Sequence, residues 1–312
     1  MGGGNWRSKR CFLSTVWLVM SVASSPETAL LSPRARLLLF LAIVLGIMIR
    51  TVAFDGPVLD HHFMRQSDTA AIARNFANEG MDFFHPRIDW RGDTPGYVES
   101  EFPIYTYSVA VLYRLFGEHE ELARGLNILL FAFTSLVLFD FVRRMFGSTT
   151  ALLSVFFMSV MPLSAYFTRT FQPDTLMVLA SLSSIYFFWR WSNEKRIEFL
   201  AISAVAVSVA ILIKPMNVYL GAPILYLCFT RLGWGFLRKI ELWAFGAVAL
   251  LPAFAWYSYA YGIWIHDGNT FFRPYSAVSF SWLIGEGDGS PAFEIRRRSL
   301  ISDMLWRIGY LV

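Results

Sequence analysis

Charge is what this sequence has least of. Only 16% of its 312 residues are Asp, Glu, Lys or Arg and 55% are hydrophobic, whereas an average soluble domain is about a quarter charged. That shortage excludes an ordinary soluble domain, and a mean hydropathy of +0.47 places the chain among polytopic membrane proteins. Cysteine is nearly absent as well. Cys11 and Cys228 are far apart, so neither a disulfide framework nor a cysteine-based metal site follows. The net charge of +4 is small and the basic residues form short clusters. Such clusters are topology signals, not a nucleic-acid surface, which excludes nucleic acid as a partner. The chain has no internal repeat and no low-complexity segment.

What the chain does have is a series of apolar runs, at 37–54, 125–142, 149–167, 175–189, 197–213, 217–230 and 240–261. Each approaches the roughly 20 residues that cross a bilayer. An eighth run, 102–116, is short and carries Pro103, Tyr105, Tyr107 and Tyr113. It either spans or lies in the interface, and charge decides between the two. If it does not cross, Arg143 and Arg144, Arg190 with Lys195 and Arg196, and Arg231 with Arg238 and Lys239 all fall in cytoplasmic loops. The outer loops between those spans then hold only Arg169 and Lys214. If it crosses, the bias reverses. The positive-inside rule therefore predicts seven spans with a cytoplasmic N-terminus.

The expected fold is thus an all-α polytopic membrane protein, a bundle of about seven transmembrane helices with a large outer loop. Residues 1–36 form a cytoplasmic extension and 37–261 the membrane module, with the outer loop at 55–101 and a juxtamembrane helix at 102–116. Arg7, Lys9 and Arg10 precede an apolar run at 11–23 that resembles a signal-peptide core. Cleavage there would leave Arg34 and Arg36 on the wrong face, so an uncleaved extension is expected. Residues 262–312 form an outer segment in which Leu300, Ile301, Met304, Leu305 and Ile308 recur at helical spacing. It ends without a polar tail, which reads as a truncated longer protein.

The outer loop is rich in carboxylates, among them Asp55, Asp60, Asp68, Asp82, Asp89, Asp93, Glu99 and Glu101. Ser67-Asp68-Thr69 precedes 70–78, where Ile72 with Phe76 and Ala73 with Ala77 share a face before Gly80. This predicts a short amphipathic helix lying on the membrane. The stretch from Gly92 to Gly96 reads as a turn. A carboxylate at such a surface can take a proton from a hydroxyl nucleophile, and one base suffices when the leaving group is already a phosphate. The phosphate would need cations, and Arg50, Arg65, Arg169 and Lys214 fall on the outer side.

Each of these residues has a plainer use. Asp68 could cap the helix that follows it, and Asp55 and Asp93 suit turns. Arg50 and Lys214 could snorkel to headgroups, whereas Asp60 has no obvious capping role. His61 and His62 with His85 could bind a divalent metal, although their spacing matches no strong ligand pattern. No other cofactor is implied. Asp140, beside Arg143 and Arg144, reads as a topological residue.

Several motifs in order carry a resemblance. They are Leu59-Asp60-His61-His62 and Arg65-Gln66-Ser67-Asp68-Thr69-Ala70; the Pro-bearing aromatic run 102–117 ending in Leu-Phe-Gly; Ala123-Arg124-Gly125-Leu126; Arg143-Arg144-Met145-Phe146-Gly147; Met161-Pro162; Arg169; Gln172-Pro173-Asp174; Ile213-Lys214-Pro215; and Leu251-Pro252 with Trp256-Tyr257. Over residues 37–261 the chain resembles the GT-C-fold glycosyltransferases that use polyprenyl-phosphate-linked sugars. Within them it resembles the dolichyl-phosphate-mannose–protein mannosyltransferase superfamily, which includes the bacterial aminoarabinose transferases.

The resemblance implies inverting sugar transfer at the outer, periplasmic or lumenal, face to a glycan, lipid or protein acceptor. It implies a loop carboxylate as base, carried onto Asp60 with Asp68 in reserve. Asp174 takes the acceptor- or sugar-binding carboxylate of the second outer loop. Arg65, Arg169, Lys214, Arg50 and Glu101 complete the candidate substrate contacts. The implied location is a bacterial inner (plasma) membrane. Two departures stand out: His61 follows Asp60 where the family often has Glu, and Glu101-Phe102-Pro103 replaces the Lys-Pro-Pro of the aminoarabinose transferases. The lysine expected at the phosphate is therefore missing, which argues against an aminoarabinose transferase proper. The alternative function is a transporter or flippase of a lipid-linked sugar. That class usually keeps polar groups near the bilayer midplane, whereas here they gather at span ends.

Overall fold

The computed structural model describes residues 31–52, 54–58, 63–89, 91–92, 94–98 and 101–263, and the backbone of the last helix to residue 267. Asp60, His61, His62, Asp93 and Glu99 lie outside the described residues, as do 1–30 and 268–312 with the expectations placed on them. Ten α-helices are described: α1 Pro33–Arg50, α2 Phe63–Glu79, α3 Ile104–Phe116, α4 Glu120–Phe146, α5 Ser148–Val160, α6 Pro162–Phe167, α7 Asp174–Glu194, α8 Ile197–Ile213, α9 Gly221–Leu232 and α10 Ile240–Asp267. Two 3-10 turns, Pro215–Leu220 and Gly233–Arg238, flank α9.

Local chemistry sets the breaks. Pro162 has no N–H and cannot continue α5, so the run 149–167 divides there into α5 and α6. Pro215 likewise ends α8 and opens a 3-10 turn. Gly147 closes α4 at φ 88°, a left-handed conformation that costs glycine nothing, and lets α5 turn straight back.

Three helical stretches are long and apolar enough to cross a membrane: Glu120–Phe146, Pro215–Arg238 and Ile240–Ile263. Ser148–Val160 and Ile197–Ile213 are apolar but shorter. The face that α1 turns outward is large and apolar, with Leu37, Leu38, Phe40, Leu41 and Met48 all exposed, while Ala42 and Gly46 are small where it packs inward. Ser184 and Ser203 are fully buried where α7 meets α8, and the Ser203 hydroxyl donates to the Ser184 carbonyl at 2.7 Å. This inverted arrangement suits helices packed in lipid, where small residues permit close approach.

α3 is thirteen residues long, about 20 Å at the helical rise, too short for a hydrocarbon layer of roughly 30 Å. It buries Tyr105, Val109 and Tyr113 and exposes Leu115 and Phe116. α2 differs from its expected form. It begins at Phe63, well before residue 70, and packs Ala70, Ala73 and Ala77 into a cluster with Tyr105, Val109 and Tyr113 of α3. The helix thus covers α3 with its apolar face. Asp68 stands inside this helix, so it is not the cap that the sequence allowed.

Between α2 and α3 the chain folds back on itself. Ile88 N–H donates to the Gly96 carbonyl and Val98 N–H to the Pro86 carbonyl, both at 2.8 Å. Asn75 of α2 fastens this hairpin through the Arg87 carbonyl and Asp89, each at 3.0 Å.

The two ends of the bundle separate by charge. At one end Asp140 binds Arg143 and Arg144, at 2.9 and 2.8 Å, and Arg144 reaches Glu194 at 3.9 Å. Lys195 lies within electrostatic reach of Lys239, Glu241 and Arg231 there. At the other end lie the folded loop, the start of α7 and the end of α8. The basic connections predicted to share a side do share one end of the bundle.

α1 meets α4 and α5 very closely at Gly46, where an added Cβ would lie 2.6 Å from the Phe131 ring and 2.9 Å from Ser159 Oγ. Gly46→Ala is therefore expected to destabilise the protein by about 1–3 kcal/mol, as overpacking does. A lowered thermal midpoint in detergent checks this, and an unchanged midpoint would show that the contact gives way freely.

Candidate functional site

Four charged side chains from four separated segments meet at the loop end of the bundle. Arg65 comes from the first turn of α2, Glu101 from the approach to α3, Asp174 from the first position of α7 and Lys214 from the end of α8. Arg65 Nη2 lies 2.5 Å from Glu101 Oε1 and 3.8 Å from Asp174 Oδ2. Lys214 Nζ pairs with Asp174 Oδ1. The order is carboxylate, guanidinium, carboxylate, ammonium. Helix ends favour it, since α7 presents its positive pole to Asp174 and α8 its negative pole to Lys214.

The backbone beneath these groups is held by buried amides. Asn127 of α4 is fully buried and its Nδ2 donates to the Thr170 and Gln172 carbonyls, at 2.5 and 3.0 Å. The Phe171 N–H donates to Gln66 Oε1 at 3.1 Å, so the residue after Arg65 grips the turn before Asp174. Asn217 Nδ2 donates to the Ala210 and Lys214 carbonyls, at 2.8 and 3.0 Å, and fixes the chain where Lys214 leaves α8. Tyr257 Oη donates to the Leu212 carbonyl at 2.8 Å, and the Phe102 N–H shares that acceptor at 3.3 Å. Glu101 is thereby tied to α8 through its neighbour. Sequence reading passed over Gln66, Asn127, Asn217 and Tyr257 as functional residues. A polar amide such as Asn127 inside the apolar run 125–142 was the available signal.

Glu101 sits deep in the fold, yet about a third of its side chain (35%) reaches solvent. Burial pushes its carboxyl above the usual range, Asp174 adds to this, and Arg65 and Lys214 oppose it. Asp174 is more enclosed, at 16% exposure, and its Oδ2 is buried without a hydrogen bond.

Arg50, Arg169, Asp68 and His85, also expected at the site, make other contacts among the described residues. Arg50 is fully buried, and its guanidinium makes five hydrogen bonds: to Thr168 Oγ1, the carbonyls of Gly46, Ser159 and Met158, and Ser164 Oγ. Its face lies 3.5 Å from the centre of the Phe131 ring. Arginine has five N–H donors, so Arg50 neither snorkels nor has a donor left for substrate. Instead it caps α5, whose Met158 carbonyl loses its helical donor because Pro162 has no N–H. Arg169 donates to the Val52 carbonyl and flanks the Tyr166 ring. Asp68 is half-buried with its carboxyl raised by burial and by the charge of Asp89. Arg74 and Asn75 hold Asp89 in turn.

His85 is engaged at both ring nitrogens, by Asp82 Oδ2 at 2.7 Å and Tyr259 Oη at 3.0 Å. Among the described residues no three His, Cys, Asp or Glu side chains are arranged to hold a metal ion. Cys228 is a buried core thiol.

A family profile described as dolichyl-phosphate-mannose-protein mannosyltransferase matches residues 95–259, just over half of the 312-residue chain. The chain belongs to this family. The match covers Glu101, Asp174 and Lys214 but begins after Arg65, which joins them through the tertiary fold. The crystal structure of ArnT from Cupriavidus metallidurans bound to undecaprenyl phosphate shares the fold, with a TM-score of 0.57 at 20% identity. That likeness covers 75% of this chain and 43% of that one, so the matched part spans less than half the length of ArnT. No curated protein sequence matches the chain significantly. The mannosyltransferase-family chain is an all-α polytopic membrane protein of GT-C type.

Proposed function

We propose that this protein transfers a sugar from a polyprenyl-phosphate donor to an acceptor hydroxyl or amine at the outer membrane surface, with inversion at the anomeric carbon. The observation that carries the reading is the meeting of Arg65, Glu101, Asp174 and Lys214 at one end of the bundle, opposite the basic Arg143–Arg144 end. The positive-inside rule puts that basic end in the cytoplasm and the cluster outside. Family membership supports a lipid-phosphate sugar donor. The undecaprenyl phosphate bound to ArnT supports a lipid carrier of that kind.

In this mechanism a loop carboxylate, Asp60 with Asp68 in reserve, takes the proton of the acceptor. The acceptor oxygen or nitrogen then bonds to the anomeric carbon from the face opposite the phosphate. The bond from that carbon to the phosphate oxygen breaks, and its electron pair leaves on polyprenyl phosphate. Arg65 and Lys214 face the charge that grows there, the service that preorganised cations perform best. Asp174 orients the sugar or the acceptor while its pairing holds Lys214 in place. The arrangement favours surface chemistry over carriage across the membrane, because these charges sit at helix ends and not at mid-helix.

The decisive experiment measures release of polyprenyl phosphate from a labelled donor. Asp60→Asn is expected to lower turnover by about 10²–10⁴-fold, the range for loss of a general base, with donor binding retained. An Asp60→Asn protein that is correctly inserted and turns over at the wild-type rate would remove Asp60 from the reaction, and Asp68→Asn would then be the variant to lose activity.

A further inference from the structure

Among the described residues the cluster is electrically balanced before any ligand arrives. Its two cations, Arg65 and Lys214, are met by two carboxylates, Glu101 and Asp174. A phosphate entering there has to share the cations with resident anions, and each negative charge it brings is repelled by them. The two carboxylates are not equally able to compete. Asp174 is enclosed, fixed at the start of α7 and paired with Lys214. Glu101 stands on a connecting segment, is the more exposed, and shares Arg65 at 2.5 Å. Among the described residues, the charged and titratable groups around Glu101 are Arg65 of α2, Lys214 at the end of α8, Asp174 of α7 and Tyr257 of α10.

Transfer changes the charge of the phosphate. The donor is a phosphodiester with one negative charge. The leaving polyprenyl phosphate is a monoester, and it carries close to two above its second pKa near 6. We propose that Glu101 makes the site discriminate between these charge states, holding the monoanionic diester and weakening the hold on the dianionic monoester. Glu101 is then a specificity-determining residue whose charge favours release of the product. The inference rests on the phosphate assignment above.

The test uses the full chain in detergent at pH 8 and two probes, farnesyl phosphate and its methyl ester, with binding read by calorimetry. Wild type is expected to bind the methyl ester more tightly than the monoester. Glu101→Gln is expected to shrink that preference by about tenfold, through tighter monoester binding, the scale of one unit charge at several ångströms in a partly wet site. Glu101→Asp, which keeps the charge, should restore the wild-type ratio. A Glu101→Gln ratio equal to wild type would overturn the proposal, as would an aspartate variant that behaves like glutamine. A wild-type protein that prefers the monoester overturns it whether or not the variants fold. Failure of the phosphate assignment looks different: wild type would then bind neither probe, or Arg65→Ala would bind both as wild type does.

Discussion

Arg65→Ala is expected to lower sugar transfer by about 10²–10³-fold, the loss seen when a preorganised group facing developing charge is removed. The variant should still insert and fold, because Arg65 is partly exposed and the contacts of α2 with α3 do not depend on it. Arg65 Nη2 stands between Glu101 and Asp174, so its loss leaves two carboxylates facing each other and removes one of the two cations described in the cluster. Arg65→Lys keeps the charge but not the planar fork, and should fall between wild type and alanine. Release of polyprenyl phosphate from a labelled donor is the measurement. Wild-type turnover in Arg65→Ala would dissolve the cluster as a site.

The second large effect falls on stability. Arg50→Ala is expected to destabilise the protein by about 3–5 kcal/mol, because buried acceptors lose a charged donor and cannot find another. The Met158 and Ser159 carbonyls at the end of α5 depend on this side chain, at 3.3 and 3.0 Å. Arg50 is fully buried, so these acceptors are shielded from bulk solvent. Arg50→Lys offers three donors for five acceptors and should recover only part of the loss. Thermal unfolding in detergent reads the result, and a midpoint within a degree of wild type would show that the α5 end does not need its cap. Donor binding by whatever protein folds should be near normal, because Arg50 has no donor free for substrate. That separates the two arginines, which the sequence presents as equivalent outward cations.

Most of the secondary structure was legible from the sequence, because helices in lipid are set by local rules. Apolar runs, Pro215 and the glycine at 147 mark their own boundaries, whereas the run 149–167, read as one span, breaks at Pro162. The run 197–213 became α8 without change. The start of α2 was not legible. Phe63 to Ser67 lack a strong helical pattern of their own, and packing against α3 extends the helix over them.

Candidate site residues were legible as a set but not as a place. Arg65, Glu101, Asp174 and Lys214 could each be named, since outward cations run against the positive-inside bias and the carboxylates stand in the outer loops beside them. Nothing in a linear chain says that residues 36 and 40 positions apart, Arg65 with Glu101 and Asp174 with Lys214, will pair. Nor does it say that Arg50 will turn inward to the end of α5 while Arg65 turns toward Glu101.

By itself, then, the sequence determined the membrane class, the helices and the grouping of basic connections at one end. These follow from hydropathy, proline and charge within a few residues of each position. Only the tertiary structure decided which outward cation belongs to the site and which to the core, that Asp68 lies within a helix, and that buried amides hold the acidic turn. Those outcomes depend on side chains far apart in sequence competing for the same buried oxygens, and only the packed helices settle that competition.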